Sequence, residues 1–243
     1  MKKDKRIKSL FSLIVFGVGV LIAVLLAGAS ALAEYEAALF DSGTRADRPL
    51  NTLYCPAFIS STESGKVSAS IANPSEYEVN PVVKARISAR SAIFIREEVE
   101  QVILKPGEKQ TLRWPVFAED AAYQRLVLVR VLVGPSYPLD SRTTSCGIVV
   151  IDLAGLTGTQ IQLGAIFLSA LLMAAGWLSW TKINPVRSGR KAELGNGLRF
   201  MGMIALLGML TTFTNWWLAS LLCVIACLLL GVILLGRYGA DVD

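Results

Sequence analysis

Residues 10–33 read LFSLIVFGVGVLIAVLLAGASALA, a stretch of 24 residues without Asp, Glu, Lys or Arg. Two more uncharged stretches follow, residues 153–181 and residues 200–236. Each is long enough to cross a bilayer, because a helix needs about 20 apolar residues to span the hydrocarbon core. Hydrophobic residues make up 53% of the chain and charged residues only 18%, which is unlike an ordinary soluble domain. The sequence therefore predicts a multi-pass membrane protein.

The excess of positive charge lies beside the uncharged stretches. Residues 1–9 carry five basic residues and one acidic residue, and residues 182–199 have the same balance. Residues 34–152 are slightly acidic. By the positive-inside rule, residues 1–9, the segment 182–199 and the tail 237–243 are predicted to be cytoplasmic, with residues 34–152 outside. This distribution argues against a nucleic-acid partner, which requires a basic face on a folded domain.

The first stretch has two interpretations. It ends in Ala31-Leu32-Ala33, which matches the small-x-small pattern before a signal peptidase site. Its length exceeds the apolar core of about 7 to 15 residues in a signal peptide. A retained transmembrane helix over residues 10–33 is therefore favoured, and a cleaved signal peptide stays open. Both interpretations place residues 34–152 outside the cytoplasm.

The second stretch predicts a transmembrane helix over residues 158–181. Small side chains permit close packing of helices in a membrane, and the predicted packing face consists of Gly164, Ala165, Ser169, Ala170, Ala174 and Gly176. Trp177 and Trp180 are expected at the membrane interface. Residues 182–199 are predicted to form a cytoplasmic loop that attracts anionic lipids or a partner protein through Lys182, Arg187, Arg190, Lys191 and Arg199.

The third stretch is too long for one crossing. As one helix it would be about 55 Å long, against a hydrocarbon core of about 30 Å. A hairpin is predicted, with helices over residues 200–214 and 216–236, a polar turn over residues 211–215, and Trp216 and Trp217 as interfacial anchors. The three stretches contain no ionisable Asp, Glu, Lys or Arg, which argues against an ion pathway. Cys223 and Cys227 are interpreted as apolar packing residues.

Residues 34–152 change to a period of two, as in half-buried strands: Val67, Ala69 and Ile71 alternate with serines. Turns are marked by Asn73-Pro74, by residues 105–108 and by Gly134-Pro135. Seven strands are predicted, over residues 53–60, 67–71, 83–90, 99–104, 111–116, 125–133 and 146–151. This pattern predicts an all-β, antiparallel sandwich, with Trp114 in its core.

The domain resembles bacterial immunoglobulin-like domains of the CARDB type. The resemblance lies in a short alternating strand that runs into Asn73-Pro74, a valine-rich strand, and Lys105-Pro106-Gly107-Glu108 before a strand carrying Leu112 and Trp114. It implies an immunoglobulin-like fold and an interaction or spacer module, and it carries over no catalytic residue. The cysteines and the C-terminal helices depart from the family's pattern.

Two cysteines lie near the two ends of the domain, Cys55 and Cys146. First and last strands of a sandwich commonly meet, and the predicted topology places both thiols on the oxidising side of the membrane. A disulfide between them is therefore predicted. Closing this long loop stabilises the domain by roughly 4 kcal/mol in the chain-entropy model.

The chain contains no histidine. This removes Ser-His-Asp and Cys-His mechanisms and histidine metal sites, so no enzyme activity and no cofactor are predicted. A cluster of acidic residues, Glu97, Glu98 and Glu100, is a further candidate for a metal site. It is read either as a calcium site or, preferably, as a solvated strand edge that resists pairing.

These features predict a non-enzymatic accessory or assembly subunit of a membrane complex, with membrane lipids and membrane proteins as partners. One alternative is a stand-alone envelope adhesin or receptor. Another is a transporter component for an apolar substrate. The predicted location is a plasma membrane. The basic N-terminus and the absence of any Asn-x-Ser/Thr acceptor suggest a bacterial one.

Overall fold

The computed structural model describes residues 2–43, 46–153, 155–185, 190–214 and 216–239. The chain divides into two compact units. The helical unit comprises Met1–Ala31 and Gln162–Asp243, and the β unit comprises Leu32–Ile161.

Four long helices lie in the described part of the chain: α1 (Lys2–Leu39), α2 (Gly158–Ile183), α3 (Arg190–Leu210) and α4 (Trp217–Gly239). All four contain a segment that is long and apolar enough to cross a membrane. Their positions agree with the three uncharged stretches, the third of which supplies both α3 and α4. By length and composition, these helices are compatible with a membrane protein.

Two helices extend beyond the predicted boundaries. α1 continues through Ala33 to Leu39, and α3 begins at Arg190, inside the segment predicted as a loop. The absence of charge marks only the part of a helix that suits the hydrocarbon core. Charged residues such as those at the start of α3 are themselves good helix formers, so the helix does not end where the charges begin.

The turn between α3 and α4 lies where the polar cluster predicted it. Thr211–Phe213 form a short 3-10 helix, and the amide of Thr214 donates to the carbonyl of Thr211 at 3.1 Å. The hydroxyl of Thr212 donates to the carbonyl of Met209 at 2.7 Å. The threonines thus satisfy carbonyls at the end of α3 that have no partner within the helix. Asn215 lies outside the described residues.

The β unit contains nine short strands among its described residues. They are β1 (Arg48–Pro49), β2 (Leu53–Tyr54), β3 (Phe58–Ser60), β4 (Ser64–Ala72), β5 (Val82–Ser88), β6 (Ile95–Gln101), β7 (Lys109–Phe117), β8 (Leu126–Val133) and β9 (Arg142–Ile151).

The strands form two sheets. The larger has the order β1-β9-β8-β5-β6, with β3 also on β9, and the smaller has the order β2-β4-β7. The prediction of a purely antiparallel arrangement is wrong at one edge, because β1 and β3 run parallel to β9. A period of two predicts strands but not their directions. The predicted strand 53–60 is divided into β2 and β3 around Pro56, which has no amide hydrogen for a ladder.

Both sheets contribute to one core. It includes Val67 and Trp114 from the smaller sheet and Val83, Val129 and Ile148 from the larger. Trp114 is buried, as its alternation with Leu112 and Val116 predicts. The turn over residues 105–108 has the predicted form, with the amide of Glu108 donating to the carbonyl of Lys105 and Gly107 at a φ of 74°.

A disulfide joins Cys55, just before β3, to Cys146 in β9. The two Cα atoms are 6.4 Å apart and both side chains are buried in the core. This is the pairing predicted from the sequence. It fixes the start of the domain to its last strand.

The last two turns of α1 belong to the β unit and pack on the larger sheet. Ala37 and Phe40 form a small apolar cluster with Ala122 and Leu128. Arg130 of β8 donates to the carbonyl of Phe40 at 2.7 Å, which satisfies an acceptor at the helix C-terminus.

The first turn of α2 is also held within the β unit. The carboxylate of Glu63 accepts the amide of Ser60 at 2.8 Å and the amide of Gly158, the first residue of α2, at 2.6 Å. A carboxylate here satisfies an amide with no partner in the helix and complements the helix dipole. The carboxylate of Glu63 therefore both closes the tight turn after Ser60 and caps the first turn of α2.

Candidate functional site

Strand β6 is the edge of the larger sheet. It pairs with β5 and with no other strand among the described residues, so its second row of backbone amides and carbonyls faces outward. Exposed aliphatic side chains lie at Ile95 and Val99 within it and at Ile93 and Ile103 just beyond its two ends. We call these four residues the β6 row: Ile93 (85% exposed), Ile95 (40%), Val99 (57%) and Ile103 (60%). The neighbouring Phe94 is 69% exposed.

One charged residue interrupts the β6 row, and it is held in place. Glu97 pairs with Arg86 at 3.0 Å and with Lys84 at 3.5 Å, both on β5. Arg86 also pairs with Asp41, just beyond the end of α1, at 2.6 Å. This chain of ion pairs links the end of α1 to the outer face of β6.

Arg86 keeps its charge in this network. Its hydrogen bond to Asp41, with smaller contributions from the charges of Asp41 and Glu97, raises the pKa of the guanidinium above its ordinary value, although partial burial opposes the shift. A fixed positive charge therefore lies beside the β6 row at all physiological pH values.

The opposite face of β6 is polar. Arg96 donates to Glu98 at 2.6 Å, to Asp120 at 2.9 Å and to the carbonyl of Pro115 at 2.9 Å. Glu97 and Glu98 are thus each held by an arginine. Among the described residues no three acidic or cysteine side chains come together as metal ligands. Inward charges of this kind discourage indiscriminate pairing of an edge strand.

Two of the other edge strands, β1 and β2, have only two residues each, and β7 and β9 are protected differently. In the smaller sheet the edge strand β7 contains Pro115, which lacks an amide hydrogen, and the exposed Arg113. Both features block the addition of a further strand. At the other end of the larger sheet, β9 is covered by β1 and β3. In the described structure β6 is the long edge with exposed aliphatic side chains.

The alternating pattern of the sequence does not identify the β6 row. The aliphatic residues at odd positions 93, 95, 99 and 103 alternate with those at 102 and 104, and a period of two cannot say which set enters the core. Val102 and Leu104 are buried. One feature of the sequence does indicate that Ile95 and Val99 are exposed. They share a strand face with Glu97, and a glutamate rarely enters a core.

The residues of the predicted packing face of α2 differ in their surroundings within the helical unit. Ser169 is fully buried and donates to the carbonyl of Gly19 in α1 at 2.7 Å. Gly176 packs so closely on α1 that a Cβ there would lie 2.6 Å from the amide nitrogen of Phe16. Ala165 and Ala170 are half-buried, whereas Gly164 and Ala174 are exposed.

The predicted interfacial tryptophans divide into two environments. Trp180 is buried and packs against Gly195 of α3, where a Cβ would lie 2.9 Å from the indole ring. It is therefore a packing residue rather than an exposed anchor. Trp177 and Trp217 are half-buried and Trp216 is exposed, near the ends of α2 and α4 where the prediction placed them.

The predicted cationic loop is only partly described. Lys182 and Arg199 are exposed, the first at the end of α2 and the second within α3. Arg187 and the side chains of Arg190 and Lys191 lie outside the described residues. Attraction of these cations to anionic lipid or a partner stays a prediction.

No protein-family model matches the chain, and no curated protein matches it. Solved structures show partial similarity. A β-glucosidase from Listeria innocua in complex with glucose is 23% identical over 40% of this chain, with a TM-score of 0.28, and this chain covers 15% of the enzyme. An alkylpurine DNA glycosylase from Pseudomonas fluorescens bound to DNA is 21% identical over 40% of this chain and 29% of that chain, with a TM-score of 0.30.

A CARDB domain from Pyrococcus furiosus in complex with di-metal ions is also similar. It is 14% identical over 42% of this chain and 90% of that domain, with a TM-score of 0.31. It is a weak structural neighbour of the kind that the sequence resemblance named. At these TM-scores none of the similarities supports an inference about function.

Proposed function

We propose that the chain is a non-enzymatic accessory or assembly subunit of a membrane complex. In this proposal the β unit faces the outside of a plasma membrane and binds a protein partner through β6. The observation that carries it is the β6 row beside an open strand edge. Exposed aliphatic groups on one surface mark interaction sites, and an open edge accepts a strand from another protein.

The proposal includes an immunoglobulin-like fold for the β unit. Its sheets, in the orders β2-β4-β7 and β9-β8-β5-β6, correspond to strand orders A-B-E and G-F-C-C′ of such a domain. The disulfide from Cys55, between β2 and β3, to Cys146 in β9 departs from the usual bridge between strands B and F. The common core around Trp114 supports the same interpretation.

The chemistry of β6 defines the partner strand. Residues 95–101 read IREEVEQ, with three glutamates and one arginine. A partner strand would hydrogen-bond to the open edge and contact Ile95 and Val99 with apolar side chains. Glu97 between them is already paired with Arg86 and Lys84, so the apolar contacts and the backbone hydrogen bonds carry the recognition.

Site-specific cross-linking tests the proposal on the full-length protein. A photoreactive residue is placed at Ile95 or at Val99, and for control at Thr111, an exposed position on the protected edge β7. After irradiation of native membranes, the protein is extracted in mild detergent and its adducts are identified by mass spectrometry. We expect one constant membrane-protein partner at positions 95 and 99 and none at 111.

The same positions give a matched loss-of-binding test. Val99→Lys places a charge in the β6 row and should reduce the co-purified partner by about tenfold, the ratio that corresponds to about 1.4 kcal/mol. Thr111→Lys adds the same charge on the protected edge and should leave the partner bound. A protein that emerges without any partner, or that cross-links equally from both edges, would overturn the proposal in favour of a stand-alone adhesin or receptor.

A further inference from the structure

A groove runs along α1 within the helical unit, with α4 as its second wall. Its volume is about 510 Å³. The wall on α1 extends from Leu10 to Val24, and that on α4 extends from Cys227 to Leu235. Its floor includes Trp180 of α2 and Leu198 of α3. All the residues that line it are apolar.

Two glycines keep the groove open. Gly17 on α1 and Gly231 on α4 both line it, and a Cβ added at either position would meet no atom within 4 Å. The protein itself therefore does not fill the space between the two walls. A larger residue at either position would extend into this unfilled space.

The dimensions of the groove suit an acyl chain. From Leu10 to Val24 a helix rises about 21 Å, whereas one leaflet of the hydrocarbon core is about 15 Å deep. The groove is thus long enough for one extended chain.

A cation lies beside one end of the groove. Arg6 is exposed and precedes Leu10 by four residues, Leu13 by seven and Gly17 by eleven. These spacings place all four residues on one face of α1. Arg6 thus lies one turn before the first groove residue on this face of α1, and its guanidinium group can bind phosphate through several N–H donors.

We infer that this groove binds one acyl chain of an anionic phospholipid, whose phosphate group contacts Arg6. Such a lipid matches three features of the groove: its apolar length, its unfilled volume and the cation beside one end. The inference concerns the helical unit and does not depend on β6 or its partner. It adds a specific lipid site to the general attraction expected of the basic segments.

Native mass spectrometry of the full-length protein in detergent tests this inference. Phosphatidylglycerol and phosphatidylcholine with the same acyl chains are the probes. We expect one retained phosphatidylglycerol per chain. Gly231→Leu should reduce its binding by about tenfold, whereas Gly236→Leu should have no effect, because Gly236 is on the same helix, also has no atom within 4 Å of its Cβ, and lies outside the groove.

Arg6→Gln tests the contact to the headgroup. It should reduce the preference for phosphatidylglycerol over phosphatidylcholine by about fivefold, which corresponds to about 1 kcal/mol for one cation near a membrane. If Gly231→Leu does not fold, Gly17→Leu fills the same space from α1. Equal phosphatidylglycerol binding by the wild type and the groove variants, or an unchanged preference in Arg6→Gln, would overturn the inference. Loss of a co-purified membrane protein from Gly231→Leu, with lipid binding intact, would do so too and would assign the groove to a protein.

Discussion

Gly147 of β9 lies directly against the backbone of Ala33 in α1, with no space between them for a side chain. The contact is part of the packing of α1 on the larger sheet, in which Ala33 and Ala37 are fully buried. Gly147→Ala should therefore force the helix and strand apart and lower the free energy of unfolding by about 1 to 3 kcal/mol. Thermal unfolding of the full-length protein in detergent measures the loss.

Gly28→Ala is the matched control for this prediction. Gly28 is also in α1, and a Cβ there would meet no atom within 4 Å. Because alanine favours a helix more than glycine does, we expect no loss of stability. Equal unfolding temperatures for Gly147→Ala and the wild type would show that α1 does not pack tightly on β9.

The same contact predicts that residues 1–33 are retained. Ala31 and Ala33, which match a signal peptidase pattern, are both buried in a continuous helix, and proteases cleave most readily at exposed, poorly ordered segments. The intact mass of the protein purified from membranes should therefore include α1. A mature N-terminus at Glu34, found by N-terminal sequencing, would establish the signal-peptide interpretation instead.

The disulfide should be needed for the stability of the β unit. Cys55 and Cys146 are separated by 91 residues, so closing this loop stabilises the folded domain by roughly 4 kcal/mol in the chain-entropy model. Cys55→Ser and Cys146→Ser should each become sensitive to protease at temperatures where the wild type resists. Cys223→Ser, which removes a thiol outside the bridge, should not. Alkylation of both Cys55 and Cys146 in the native protein without reductant would contradict the prediction.

The sequence predicted those features of the structure that depend on a single segment of the chain. Uncharged stretches located the helices, and alternation located Trp114 in the core. It was less informative where two distant segments decide the outcome. The hydroxyl of Ser169 can be buried because it donates to the carbonyl of Gly19 in another helix. Trp180 can be buried because Gly195 leaves room for its ring.

The β6 row shows the same limit. Ile95 and Val99 are apolar enough for a core, but the sheet places Val83 and Ala85 of the neighbouring strand inward and the odd positions of β6 outward. Only the register between β5 and β6 decides this. A shift of one residue would exchange the two faces.

Asn73 organises the loops at one end of the β unit. It is buried, and its side-chain amide donates to the carbonyls of Tyr77 at 2.7 Å and Leu104 at 3.0 Å, while its oxygen accepts the amide of Ser75 at 3.0 Å. Asn73→Ala should lower the free energy of unfolding by about 2 to 4 kcal/mol, because each buried partner left unpaired costs about 1 to 3 kcal/mol. Urea unfolding in detergent measures the change.

Asn73→Asp separates the roles of the two ends of this side chain. It keeps an oxygen for Ser75 but loses the donors to Tyr77 and Leu104. We expect a loss close to that of Asn73→Ala. A stability equal to that of the wild type would show that the donated hydrogen bonds contribute little.

Asp47 makes part of the stability of the β unit dependent on pH. The hydroxyl of Ser141 donates to its carboxylate at 2.5 Å and the amide of Ser141 does so at 3.3 Å. These hydrogen bonds, the hydroxyl first, hold the pKa of Asp47 below its ordinary value of 3.8. Because the folded pKa is the lower one, the stabilisation is fully present above pH 3.8 and is lost as the pH falls through the folded value.

Asp47→Asn removes this ionisation while it keeps an oxygen acceptor for Ser141. At pH 7 the variant should unfold at a slightly lower temperature than the wild type, by a small amount because the carboxylate is exposed. The difference should shrink towards zero at a pH well below 3.8, where both side chains are neutral. Asp140→Asn, which breaks the exposed ion pair with Arg48, is the control for loss of a surface charge. A difference between Asp47→Asn and the wild type that stays constant from neutral to acid pH would mean that the hydrogen bonds of Ser141 do not favour the ionised carboxylate.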